Sequence, residues 1–210
     1  MSCLIFFGKF TSMKKLLPYL FCIVFSAASC KKQNHLPIDT QEFEQMESKY
    51  AGYYHILTSI ANDSVDLDLD GNKNTDLFNE IPLLEQSKVT IRVLEDNDPR
   101  STKNYTTSFE LLYPEQYALV EGREISSYTP GAEVTFLDQP IFNRCLIDTV
   151  KTLISLSPEN NPHETERRFT RPNEIRLLDD EKIQVSTIKE FYTKSGFIKI
   201  NITSIYKRVN

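Results

Sequence analysis

The chain has no tryptophan, three histidines, four cysteines and six glycines among 210 residues, and each scarcity closes off a class of chemistry. His35, His55 and His163 stand in no metal-binding spacing such as H-x-x-x-H, and His55 reads as one residue of a strand face. The glycines form neither a phosphate-cradling loop nor the Gly-x-Ser-x-Gly elbow of a serine hydrolase, and there is no C-x-x-C pair. Carboxylates are plentiful at 29, so pairs arise by chance and none marks a general acid and base. The expectation is a protein that is not an enzyme. No low-complexity tract or internal repeat is present, and 40% hydrophobic residues are enough to bury a core.

What is present begins with an address. Met13-Lys14-Lys15 is a cationic start, Leu16–Phe25 an apolar core, and Ser26-Ala27-Ala28-Ser29 a run of small residues ending at Cys30. This is the tripartite order of a secretory signal, with an apolar core too short for the about 20 residues that a membrane-spanning helix needs. The signal works from Met13 whether translation starts there or at Met1. The small residues before Cys30 resemble the lipobox of bacterial lipoproteins. That resemblance implies a diacylglycerol on the Cys30 sulfur, cleavage before it, and a palmitate-type acyl group on the new amine. Plain secretory cleavage near Ser29 is the alternative. Two or three chains hold a protein on a membrane where one is marginal.

Removing residues 1–29 takes away Lys9, Lys14 and Lys15 and no acid, so 24 basic residues fall to 21 against 29 acidic, a net charge of -8. A chain of that charge repels nucleic acid. The one basic cluster, Arg167-Arg168-Phe169-Thr170-Arg171, reads as a solvated face, with an anion or lipid-headgroup site as the alternative. Cys3 and Cys22 leave with the signal and Cys30 takes the lipid. Only Cys145 remains, in the apolar run Ile141–Ile147, so no disulfide framework is available and a buried thiol is expected.

The domain plan is a signal over 1–29, a lipid-attached tether over 30–49 and a β domain over 50–210. Asp39 and Glu42 are spaced as a capping box, which predicts a short helix near 40–48 within the tether. Lys31-Lys32-Gln33-Asn34 lacks the acidic run that directs some lipoproteins to the cell surface, so the expected location is the outer membrane or another envelope membrane, on its periplasmic face. Beyond Tyr50, period-two alternation predicts strands over 51–60, 88–94, 105–113, 116–121, 132–137, 141–148, 151–157, 174–178, 183–192 and 197–203. Asp179–Lys182 and Thr193–Gly196 read as turns of a three-stranded C-terminal meander, 158–164 as a loop, and Asp76–Leu84 as a short helix capped by Asn74-Thr75. The fold class is all-β and antiparallel, with one or two short helices. Closure into a barrel or pairing into a sandwich both cover the apolar faces, and sequential hairpins favour an up-and-down barrel.

Tyr50-Ala51-Gly52-Tyr53-Tyr54-His55-Ile56 resembles the opening strand of lipocalin-like domains in bacterial lipoproteins, and Thr203-Ser204-Ile205-Tyr206-Lys207-Arg208-Val209 is similar to their closing strand. The resemblance covers residues 50–208 and departs at Tyr54, where true lipocalins usually carry Trp. It implies a barrel whose cup holds a small hydrophobic ligand.

The densest polar constellation is Asp63–Asp76. Asp66, Asp68, Asp70 and Gly71 fall at positions 1, 3, 5 and 6 of an EF-hand loop, Asn72 at 7 and Asn74 at 9. A Ca2+ ion takes six to eight oxygens, and alternate residues aim them at one centre. Position 12 is Leu77 instead of Glu, so Asp76 or Glu80 is the candidate for the missing oxygen. The alternative is a solvated turn in which Asp and Asn side chains bond nearby amides. Functionally, the leading expectation is a lipid-anchored barrel carrying a small hydrophobic molecule. The second is an envelope module that binds a protein or glycan through its loops.

Overall fold

In the computed structural model, residues 40–96, 103–158 and 170–209 are described. The expected signal over 1–29, Cys30 and residues 31–39, 97–102, 159–169 and 210 lie outside them, and with them most of the loop expected over 158–164 and Arg167, Arg168 and Phe169.

The described residues hold ten antiparallel strands, eight from the alternating segments and two short ones, β2 and β5, outside them: β1 (Gly52–Val65), β2 (Asn74–Asp76), β3 (Lys88–Glu95), β4 (Tyr105–Val120), β5 (Arg123–Glu124), β6 (Glu133–Asp148), β7 (Leu153–Leu156), β8 (Glu174–Leu178), β9 (Lys182–Thr193) and β10 (Gly196–Val209). Eight of them close into a barrel in the order β1-β3-β4-β6-β7-β8-β9-β10, with β10 returning to β1 through pairs such as Tyr54 with Arg208 and Ser59 with Ser204. That closing ladder decides for a barrel over a sandwich. β2 and β5 are short additions to β1 and β4.

Three expectations change in detail. The segments expected over 105–113 and 116–121 are one strand, as are 132–137 and 141–148, although Pro114 and Pro140 interrupt them. Both prolines sit where their strand has a partner on one side only, since β3 pairs no further than Leu112 and β7 no earlier than Cys145. A missing N–H there takes no bond from a second ladder. The helix expected over Asp76–Leu84 is instead two 3-10 turns, Leu77–Asn79 and Leu84–Gln86. Pro82 lies between them and cannot continue a helix, and Leu83 turns into the left-handed region at φ 64°. A β-bulge at Leu57 moves the inward phase of β1 from Tyr54 and Ile56 to Ser59 and Ala61.

The helix expected near 40–48 is present as α1 (Thr40–Tyr50), and it docks on the barrel. Met46 and Tyr50 join the core, and Phe43 lies 6.4 Å from Tyr105. Glu42 accepts hydrogen bonds from Lys103 Nζ at 2.8 Å and Tyr105 Oη at 2.7 Å, which hold its carboxyl below the usual carboxylate range. Asp39, its expected capping partner, lies outside the described residues. Arg208 from β10 donates to the Ser48 and Lys49 carbonyls at the end of α1, satisfying acceptors that a helix terminus leaves open. The same guanidinium explains Gly52: at φ +150° a Cβ would lie 2.8 Å from Arg208 Nε.

Large side chains fill the core: Tyr54, Phe109, Tyr113, Phe191, Ile200, Ile202 and Tyr206 are each no more than 3% exposed. The polar groups among them bond to one another. Ser59 Oγ meets Ser204 Oγ at 2.8 Å and Tyr113 Oη at 3.4 Å, Ser87 Oγ donates to the Leu112 carbonyl at 2.7 Å and meets Tyr206 Oη at 3.1 Å, and Tyr54 donates to the Tyr50 carbonyl. Burial pushes the Tyr54 phenol up to about 12 and those of Tyr113 and Tyr206 higher still, so all three stay neutral. Lys189 of β9 forms an ion pair with Glu115 of β4 inside the wall, its ammonium 4.8 Å from the Tyr113 ring centre.

Candidate metal centre

Opposite α1, the chain between β1 and β3 folds back over the barrel mouth. Leu67, Leu77, Ile81 and Leu84 are 2% exposed or less and plug it. Gln116 fastens this segment from β4, donating to the Leu67 carbonyl at 2.7 Å and the Tyr192 carbonyl at 3.1 Å while accepting from Tyr192 N–H. With Leu67 anchored inward, the flanking Asp66 and Asp68 are held close to the plug.

The acidic run makes local turn bonds, which Asp68 shares by accepting from Asp70 N–H at 3.1 Å, and part of it also converges. Asp70 accepts from the Asn72 backbone N–H at 2.7 Å and from its side-chain amide at 2.8 Å, Asn74 from Asp76 N–H, and Asp76 from Phe78 N–H. These are the local turn bonds of the alternative reading, and those from Asn72 hold the exposed Asp70 carboxyl below its usual range. Leu69 at φ 66° and Gly71 at φ 100° make the reversal.

The converging groups are Asp66, Asp68 and Glu80, which each offer one carboxylate oxygen, all within 4.8 Å of one another. Glu80, 2% exposed, is oriented by the Leu67 N–H, which donates to its Oε2 at 2.8 Å. Burial, and then the negative charges of Asp68, Asp66 and Asp70, push the Glu80 carboxyl above the usual carboxylate range despite that bond. Asp66 Oδ2 accepts from Gly71 N–H at 3.1 Å and meets Lys194 Nζ, from the β9–β10 turn, at 3.3 Å.

Of the six expected ligands, the structure therefore brings Asp66 and Asp68 together and adds Glu80, the candidate for the missing oxygen. Asp70, Asn72, Asn74 and Asp76 engage the local backbone or one another. Lys194 was beyond the reach of the loop's own spacing, since it arrives from a turn 128 positions away.

No family model, no curated protein and no solved structure matches this chain.

Cys145 is buried and free, its thiol pushed up by desolvation, which makes it a poor nucleophile. His55 is exposed on β1. Arg171, the last residue of the basic cluster, donates to the Ser157 carbonyl at 3.1 Å. Among the described residues no helix is long and apolar enough to cross a membrane.

Proposed function

We propose that the protein is a lipoprotein of the bacterial cell envelope, held by lipid on Cys30, whose barrel is a rigid scaffold presenting loops and wall to a protein or glycan partner. The observation that carries the choice between the two expected functions is the filled interior. A carrier needs an open apolar cup of about 300 Å³ or more. Here Phe109, Phe191, Ile200, Ile202 and Tyr206 belong to one buried core with Met46 and Tyr50 of α1 and Leu67, Leu77 and Leu84 of the plug, and the cavity of about 290 Å³ beside Tyr54 is rimmed by Lys49, Asp179, Asp180, Glu181 and Lys182. That filling favours the envelope module over small-ligand carriage.

The outer wall supports a surface role. Phe142 and Leu146 of β6 face outward and are 60% and 68% exposed, at positions where alternation ordinarily puts polar side chains. The lipocalin-like order of strands fits the same reading, with the barrel used as a frame instead of a cup. Lys189 pairs with Glu115, and the buried tyrosines bond within the core, so this reading gives them structural roles.

Titrating the purified protein with an environment-sensitive fluorescent fatty acid tests this choice. The expected result is no saturable one-to-one binding. Saturable binding at one molecule per chain would return the reading to small-ligand carriage.

A further inference from the structure

We infer that Asp66, Asp68 and Glu80 form a calcium site that locks the plug over the barrel mouth. Asp66 belongs to the loop after β1 and Glu80 to the turn that packs Leu77 and Ile81 inward, so an ion between them ties the two halves of the plug together.

Three observations carry the inference. First, three carboxylates converge within 4.8 Å although two of them, Asp66 at 7% and Glu80 at 2%, are removed from water. Like charges so placed repel strongly where solvent does not screen them. Lys194 offsets one charge from a side chain that is 60% exposed. Second, Oδ1 of Asp66 is buried without a hydrogen-bond partner, on a side chain only 9% exposed. A buried carboxylate oxygen left without a donor costs free energy, and a cation is the partner this environment offers. This oxygen is independent of the turn bonds that organise Asp70, Asn72, Asn74 and Asp76. Third, the donors suit the ion: oxygens bound to one calcium at about 2.3–2.6 Å lie no more than about 5.2 Å apart, a limit that the three carboxylates, all within 4.8 Å of one another, satisfy. Hard oxygen ligands with no His or Cys exclude a preference for zinc or copper.

The ligand set differs from that of an EF-hand. The acid that completes it is Glu80, held in place by the Leu67 N–H, and the later loop residues shape the turn without binding the ion. The inference stands apart from the lipid anchor and from the identity of any partner.

Calorimetric titration of the full-length, detergent-solubilised protein with Ca2+, after stripping with EGTA, is the test, paired with thermal melting in Ca2+ and in EGTA. One Ca2+ per chain and a higher melting temperature in Ca2+ are expected, with Mg2+ a weak competitor. Glu80→Gln keeps an acceptor for the Leu67 N–H, and Asp68→Asn sits on the more exposed side of the cluster. Each is expected to lose at least about 100-fold in Ca2+ affinity. Asp76→Asn preserves the turn cap at Phe78 and is expected to bind as the parent does. If Glu80→Gln does not fold in EGTA, Asp68→Asn carries the test. No heat and no shift in melting temperature at millimolar Ca2+ would overturn the inference, as would binding lost in Asp76→Asn but retained in Glu80→Gln or Asp68→Asn.

Discussion

Cys30→Ser is expected to abolish labelling of the chain by a clickable fatty acid and to move the protein from the membrane fraction to the soluble fraction. The effect is all-or-none, because the hydroxyl cannot take the place of the thiolate that accepts diacylglycerol. In the proposed reading, the chain from residue 30 starts with a polar segment and, without residues 1–29 and their three lysines, carries a net charge of -8. Each acyl chain contributes about 0.8 kcal/mol per buried methylene, so its loss removes the whole of the attachment. The barrel is expected to remain folded, since α1 and the strands make their contacts C-terminal to the substituted residue. Unchanged labelling, or a protein that stays membrane-bound after carbonate and salt washes, would sink the lipoprotein reading.

Lys189→Met is expected to destabilise the barrel by about 3–5 kcal/mol, the usual cost of removing one partner from a buried ion pair. The Lys189 side chain is 2% exposed and that of Glu115 is 7% exposed, so water cannot replace the lost ammonium without opening the wall. The variant also loses the contact of the cation with the Tyr113 ring. Methionine fills a similar volume, which separates the charge effect from cavity formation. Adding Glu115→Leu is expected to return most of the loss, because an apolar pair in place of a buried ion pair is often neutral or better. Urea unfolding of the parent, both single variants and the double variant measures the coupling. A single-variant cost below about 1 kcal/mol would mean that the pair behaves like an exposed one.

Lys189 also marks how far the sequence could be read. On β9 the inward phase runs Ile183, Val185, Thr187, Lys189 and Phe191, and on β4 it runs Phe109, Leu111, Tyr113 and Glu115. One charge of each sign standing in an apolar phase is a visible signal for a buried pair. Strand existence was legible because period-two alternation is local, and the C-terminal meander was legible because its turns are Asp-rich or contain Gly196. The strand unions across Pro114 and Pro140 were not, since whether a proline ends a strand depends on where its neighbours end. The bulge at Leu57 was hidden for a related reason: it resets the phase of β1 to match β10, and that register is a property of two strands 145 positions apart at Ser59 and Ser204.

The acidic loop shows the same division. Its turn geometry follows from Asp-x-Asp-x-Asp-Gly spacing, which local hydrogen bonds satisfy. Its convergent carboxylates depend on Pro82 breaking the expected helix, so that Glu80 comes to the Leu67 N–H instead of following a helical path. Loop spacing alone nominates six ligands, whereas the packing of Leu67 and Leu77 selects which acids face one another.

The central claim, a lipid-anchored barrel with no cargo, is tested most directly by native mass spectrometry of the protein purified from its own host's membranes, followed by denaturation of the same sample. The predicted mass is that of the chain from Cys30 carrying covalent acyl lipid, with no organic adduct lost on denaturation. A chain without covalent lipid, or a stoichiometric organic molecule released when the barrel unfolds, would contradict it.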